Sequence, residues 1–215
     1  MMEEIIVRCE NLSKSFKDVH VLRDFNLEIP RNAYVCIQGE SGCGKSTFLN
    51  IVGLLDSPSS GSISIFDEDN IKPFSLKAQK MLREKIGYLF QNFALIDNMT
   101  VFENLELAIF KKRKEKKELI HDALKKVGLE GFESKFVFQC SGGEQQRIAI
   151  ARLLLKPCDL VLCDEPTGSL DDENKKIILD LLDDLHEMGK TIIVVSHEKV
   201  VSNRAQTTIE LRKLV

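Results

Sequence analysis

The chain has 215 residues, 43% of them hydrophobic and 29% charged, with a formal net charge of −3. That length suits one domain, or one domain with a nested subdomain, and a well-buried core. The acidic balance speaks against a general nucleic-acid binder, no run reaches the ~18 apolar residues that cross a bilayer, and the N-terminus MMEEIIVRCE is acidic where a secretion signal is basic, so the expected location is the cytoplasm.

The first strand-like runs fall near residues 5–9 and 25–29, and their alternating pattern predicts an antiparallel β portion at the N-terminal end. Tyr34-Val35-Cys36-Ile37 then reads as a buried strand. It leads into Gly39–Ser46, GESGCGKS, which meets the pattern G-x-x-x-x-G-K-[ST] at every required position. Gly39, Gly42 and Gly44 allow a tight turn that aims successive N–H groups at phosphate oxygens. Lys45 supplies a point charge toward β- and γ-phosphates, and the Ser46 hydroxyl is a magnesium ligand candidate. Thr47–Val52 reads as helix, which would set the phosphates at a helix N-terminus. The strand–loop–helix setting outweighs the plain alternative of a glycine-rich turn.

Further strand-like runs lie near 62–66 and 86–90, and between about 100 and 155 the pattern turns helical, with Val101, Leu105 and Ala108-Ile109 on one face. The tract Lys111–Lys117, KKRKEKK, is interrupted by acids and reads as a solvated helix face. Ser141–Gln145, SGGEQ, opens the helical run QRIAIARLLL. A serine and two glycines at a helix start expose N–H groups, which makes a second anion site unless the segment is only an N-cap.

Leu160–Glu165, LVLCDE, is an apolar strand ending in two carboxylates. Asp164 is placed to help hold Mg²⁺ and Glu165 to orient and deprotonate an attacking water. Ile177-Ile178, Leu181-Leu182, Leu185 and Met188 make a 3.6-residue stripe for a helix lying on a sheet, and Ile192–Val195 reads as another strand covered on both faces. His197 follows directly, at the strand end where α/β proteins bind ligands. Six cysteines are scattered without a C-x-x-C pair or a cysteine–histidine cluster, so neither a disulfide framework nor a zinc site is expected.

SGGEQQR, followed by LVLCDEPTGSLD and preceded by GESGCGKST, resembles the nucleotide-binding subunit of ATP-binding cassette (ABC) transporters over essentially the whole chain. The resemblance implies an α/β P-loop NTPase: a RecA-like core with a mixed sheet and helices on both faces, the N-terminal antiparallel β part, and a nested α-helical subdomain at 92–156 within a single 1–215 domain. It implies ATP and Mg²⁺ as ligands. ATP contacts would come from Phe16, which matches the adenine-stacking aromatic, from Gly39, Glu40, Ser41, Gly42, Cys43, Gly44, Lys45, Ser46 and Thr47, and from Gln91, Ser141, Gly142, Gly143, Glu144 and Asp171. Ser46, Gln91 and Asp164 would serve the metal; Glu165, His197 and Lys45 would be catalytic, His197 sensing the γ-phosphate.

IGYLFQNFALIDNMTVFENLELAI with DEPTGSLD is similar to the lipoprotein-release and macrolide-export branch, and QNFALI, ARLLLKPCDL and DEPTGSLD together to bacteriocin-type exporters. Cys140 stands where the family usually has leucine before SGG, and Cys163 where alanine is frequent. The implied assembly is a head-to-tail pair of such subunits, with Asp171 touching the opposing copy. A separate integral membrane permease would be engaged near Gln91, holding the chain to the inner face of the membrane; no nucleic-acid partner is expected. The competing reading is a soluble ABC ATPase acting in assembly or repair.

Overall fold

The computed structural model describes residues 4–109, 113–168 and 170–213. In chain order the elements are β1 (Ile5–Phe16), β2 (Val19–Pro30), β3 (Tyr34–Gln38), α1 (Lys45–Val52), β4 (Ser60–Ile65), β5 (Glu68–Asp69), α2 (Leu76–Glu84) and β6 (Ile86–Leu89). There follow α3 (Val101–Glu106), α4 (Arg113–Lys126), α5 (Gly142–Leu155), β7 (Leu160–Asp164), α6 (Asp172–Glu187), β8 (Thr191–Ser196), α7 (Lys199–Ser202) and β9 (Thr207–Glu210).

Two sheets result. One is antiparallel, four-stranded, in the order β2-β1-β4-β5; the other is five-stranded, β6-β7-β8-β3-β9, with every pair parallel. The parallel strands are apolar on both faces, and their period of two divides the core. Val35, Ile37, Leu160, Leu162, Ile193 and Val195 face a cluster built with α1, α2 and the antiparallel sheet. Tyr34, Cys36, Val161, Cys163, Ile192 and Val194 face a second cluster, built with α3, α4, α5 and α6. Gly53 and Gly87 keep these layers close: a Cβ on Gly87 would lie 2.7 Å from Leu153 Cδ2.

Several elements differ from expectation. β1 and β2 run to 12 residues each because irregularities in their pairing, with Asn11 and Asp24 in the left-handed region, let a long strand keep Leu12 and Leu22 inside. α3 opens with a Thr100–Glu103 capping box but ends at Glu106, so Leu107 is exposed while Ala108 and Ile109 turn back into the core. Met188, at the C-cap of α6, is exposed and drops out of the predicted stripe. Of the basic tract, Lys111 and Lys112 lie outside the described residues; Lys116 pairs with Glu106 at 3.3 Å, and Glu115 and Lys117 face solvent. Among the described residues no helix is long and apolar enough to cross a membrane.

All six cysteines are free and buried. Burial pushes the Cys9 thiol up to about 12 and Cys36 to about 11, from an ordinary value of 9.0. A thiol pKa raised by folding adds stability that is fully present below the unfolded value and is lost as pH climbs through the folded one. Native protein should therefore resist iodoacetamide at neutral pH and react at all its thiols only once unfolded, and its urea midpoint should fall as pH rises from 9 toward 12. Rapid alkylation of the native chain would contradict this burial.

Candidate functional site

Strand order builds the site. β7, β8 and β3 are adjacent and parallel, with Asp164 in register with Val195 and Gln38 with Ser196. Their carboxyl ends therefore bring Asp164-Glu165, Ser196-His197 and the loop after Gln38 side by side, the position at which open α/β sheets hold ligands. A cleft of about 1090 Å³ opens there, lined by Val21, Glu40, Ser41, Gly42, Gly44, Lys45, Ser46, Thr47, Gln91, Glu165, Gly168, Lys175, His197 and Glu198.

The glycine loop ends on Gly44, the N-cap of α1, at φ 103 and without a side-chain cap hydrogen bond. A Cβ there would lie 2.7 Å from Val21 Cγ1, so glycine is required for both conformation and space. The first-turn amides of α1 are left for an anion, with the positive end of the helix dipole behind them. Lys45 is 7% exposed, and its ammonium donates to the carbonyls of Gly39 (2.7 Å) and Glu40 (3.0 Å), 3.9 Å from Glu165 Oε1. The loop thus holds its own cation at the mouth of the amide cradle.

Ser46 Oγ donates to Asp164 Oδ1 at 3.1 Å, which ties the end of β7 to the start of α1. Burial raises the Asp164 pKa, opposed by that hydrogen bond. Glu165 takes a left-handed backbone (φ 46), fixed by its N–H donating to Val195 O at 3.0 Å. Its Oε2 accepts from Ser196 Oγ at 3.1 Å, and its Oε1 lies 3.0 Å from His197 Nδ1, which donates to it. The carboxylate is held in one orientation with lone pairs left toward the cleft. The imidazole is set with Nε2 on its far side.

Gln91 enters the cleft on the loop after β6. That loop continues through Phe93 and Ala94, both left-handed, and Arg152 at the far end of α5 donates to their carbonyls at 2.9 and 2.6 Å.

Other expected site residues lie outside this cleft. Phe16 is half-exposed at the end of β1, with Lys14 Nζ 4.8 Å above its ring. Cys43 is buried in the loop with its Sγ toward Gly39. Ser141 and Gly142 are exposed at the start of α5, outside this cleft, and Gly143 behind them is buried. Ser141 and Glu144 form a capping box there, with Lys135 on the Glu144 carboxylate at 3.2 Å. The serine hydroxyl accepts from the Glu144 amide and keeps its proton to donate, while Glu144 is spent on the Ser141 amide. Asp171 caps α6 through the Asn174 amide at 2.8 Å, which holds its carboxyl below the usual range. Sequence reading missed Val21, Thr167, Gly168, Lys175, Ser196 and Glu198. A lysine in the first turn of α6, where the dipole disfavours a cation, was the one signal that could have exposed Lys175.

A family model described as ABC transporter matches residues 22–168. The chain belongs to the ABC transporter family. Among its ABC relatives is the uncharacterized ATP-binding protein YvrO of Bacillus subtilis (strain 168), 39% identical over 94% of this chain and 91% of that protein. The macrolide export ATP-binding/permease protein MacB of Pectobacterium atrosepticum is 39% identical over 91% of this chain, which spans only 31% of MacB. The ABC cassette MJ0796, solved as a post-hydrolysis dimer bound to ADP and Pi, superposes with a TM-score of 0.88 at 38% identity, covering 96% of this chain and 94% of that one. cbiO1 from Clostridium perfringens, part of the cbiONQ complex, superposes with a TM-score of 0.84 at 29% identity, over 99% and 88% of the two chains. The chain is thus an ATP-binding ABC cassette and an ATPase, similar to the macrolide-export branch.

Lys45→Ala removes the cation from the cradle and should weaken ATP binding more than about tenfold, ~1.4 kcal/mol, by calorimetric titration. Unchanged affinity would break the assignment of the loop to the triphosphate.

Proposed function

We propose that this cassette is the motor of a transporter, working as a head-to-tail pair in which each ATP lies between the Gly39–Thr47 loop of one copy and Ser141–Gly143 of the other. The observation that carries this is the placement of α5: its glycine amides and free hydroxyl proton begin outside the chain's own cleft. Two amide-rich helix ends facing one polyphosphate from opposite sides account for both. Phe16, half-exposed at the end of β1, takes the adenine, and Asp171, which caps α6 through the Asn174 that abuts Gly143, meets the opposing copy.

In this reading Lys45 leaves the loop carbonyls for the β- and γ-phosphate oxygens, a charge-assisted exchange. Glu165 accepts a proton from the attacking water as its general base, already oriented by Ser196 and His197. His197 senses the γ-phosphate through Nε2. The donors Ser46, Gln91 and Asp164 are all oxygen-bearing and few, which fits Mg²⁺, an ion that keeps waters and phosphate oxygens in its shell; when bound it neutralises phosphate charge.

A groove of about 370 Å³ beside the Gln91 loop, lined by Leu55, Leu82, Tyr88, Phe90, Leu107 and Arg152, is the seat for the membrane-spanning partner. The helical stretch 92–156 is the subdomain that carries both this groove wall and Ser141–Gly143. The cassette would then sit at the cytoplasmic face of the membrane through that partner and drive export or extrusion of a peptide, lipid or drug-like molecule. The alternative of a non-transport ABC ATPase in assembly or repair is not favoured by the relatives, which are named for transport.

Glu165→Gln should bind ATP yet lose roughly 10²–10⁴-fold in turnover, and ATP should convert it to a dimer on size-exclusion chromatography. A variant that stays monomeric with ATP would sink the shared-site reading; one that turns over normally would remove Glu165 as base. His197→Ala should slow turnover with little change in ATP affinity, and an unaltered rate would reject its role.

A further inference from the structure

Glu198 sits at a junction. Its Oε2 accepts from Lys175 Nζ of α6 at 2.5 Å, and its Oε1 from the buried Thr167 hydroxyl at 3.1 Å. Its own N–H donates to Ser196 Oγ at 3.1 Å, the hydroxyl that also holds Glu165. Both Lys175 and Glu198 line the cleft beside His197, while their side chains are only 23% and 17% exposed.

Two contacts lead from this junction to the start of α5. The residue before Lys175, Asn174, abuts Gly143 so closely that a Cβ there would lie 2.6 Å from its Oδ1. Gln146 of α5 donates to the Pro166 carbonyl at 2.7 Å, next to Thr167. Tightly packed contacts of this kind pass a displacement on instead of absorbing it.

We propose that Lys175 and Glu198 form a charge latch that couples the phosphate end of one ATP site to the Ser141–Gly143 end of α5, and so to the other site of the pair. The inference rests on the head-to-tail reading. Lys175 lines the cleft with its ammonium on Glu198 and is placed for a second acceptor, a γ-phosphate bound there. Without a terminal phosphate it stays on Glu198, whose partnership holds its ammonium above the usual lysine range. A γ-phosphate attracts the ammonium and repels the Glu198 carboxylate, so the first turn of α6 is released from Glu198. Asn174 moves with it, and Gly143 has no slack to stay behind. The latch is a positioning device: it gives the packing path two discrete states, which transmission between sites requires.

The test is steady-state ATP hydrolysis by the full chain and its variants, read as Hill coefficient, kcat and KM, with melting curves as a check on folding. Parent protein should show a Hill coefficient above 1 and approaching that of two coupled sites. Lys175→Met and Glu198→Gln should each lower it to about 1 and reduce kcat, while the double variant is no worse than either single one, as two members of one interaction behave. Lys175→Arg should retain cooperativity. A non-cooperative parent, or a Lys175→Met protein as cooperative as the parent, overturns the latch. If Glu165→Gln still dimerises with ATP in that event, only the latch has failed; if it does not dimerise, the shared site has failed with it.

Discussion

The structure depends on the start of α1, a helix end without a side-chain cap. α2, α3, α5 and α6 each begin on a residue whose side chain accepts from the first turn: Ser75, Thr100, Ser141 and Asp171. α1 begins on Gly44, which has no side chain to offer. Its amides therefore need an outside acceptor, and the buried Lys45 beside them is neutralised only by loop carbonyls and a carboxylate 3.9 Å away. In the proposed mode a triphosphate would satisfy both at once. The parallel sheet aims this end: β3 fixes where the loop starts, and β7 and β8 lie next in line with Asp164-Glu165 and Ser196-His197 at their ends.

Much of this was legible in the chain. β3, β7 and β8 are continuously apolar, which in a chain of this size means strands covered on both faces. The loop after β3 was exposed by its spacing and the carboxylates after β7 by their strand-end setting, whereas the role expected of His197 came from the family resemblance. β5 and β9 are short and polar, and nothing in ED or TTIE distinguishes them from a loop until a neighbouring strand supplies the ladder. α2 buries only Ala78 and Met81, too little for a stripe to be seen.

The residues that escaped the sequence are those whose meaning is tertiary. Thr167, Lys175 and Glu198 lie up to 31 positions apart and meet because α6 crosses back over the end of β8. Ser196 fell just past the predicted strand Ile192–Val195, yet it is the hydroxyl on which both Glu165 and the Glu198 amide converge. The reverse error is also instructive. Glu144 follows SGG and invites a role at the ligand, but folding spends it on the Ser141 amide and Lys135. A carboxylate within reach of an open helix start is drawn there first.

α5 is a single unbroken rod of 14 residues, about 21 Å at the usual rise per residue, and Ile148, Ala149, Ile150 and Ala151 bury it along its middle. One tip carries the glycines; the other carries Arg152, clasping the carbonyls of Phe93 and Ala94 on the wall of the apolar groove. A continuous helix packed along its middle in this way is stiff. In the proposed pair, a stroke imposed at the glycine tip would reappear as travel of the groove wall, a stiff lever in a well-filled bearing with no hinge between chemical and mechanical work.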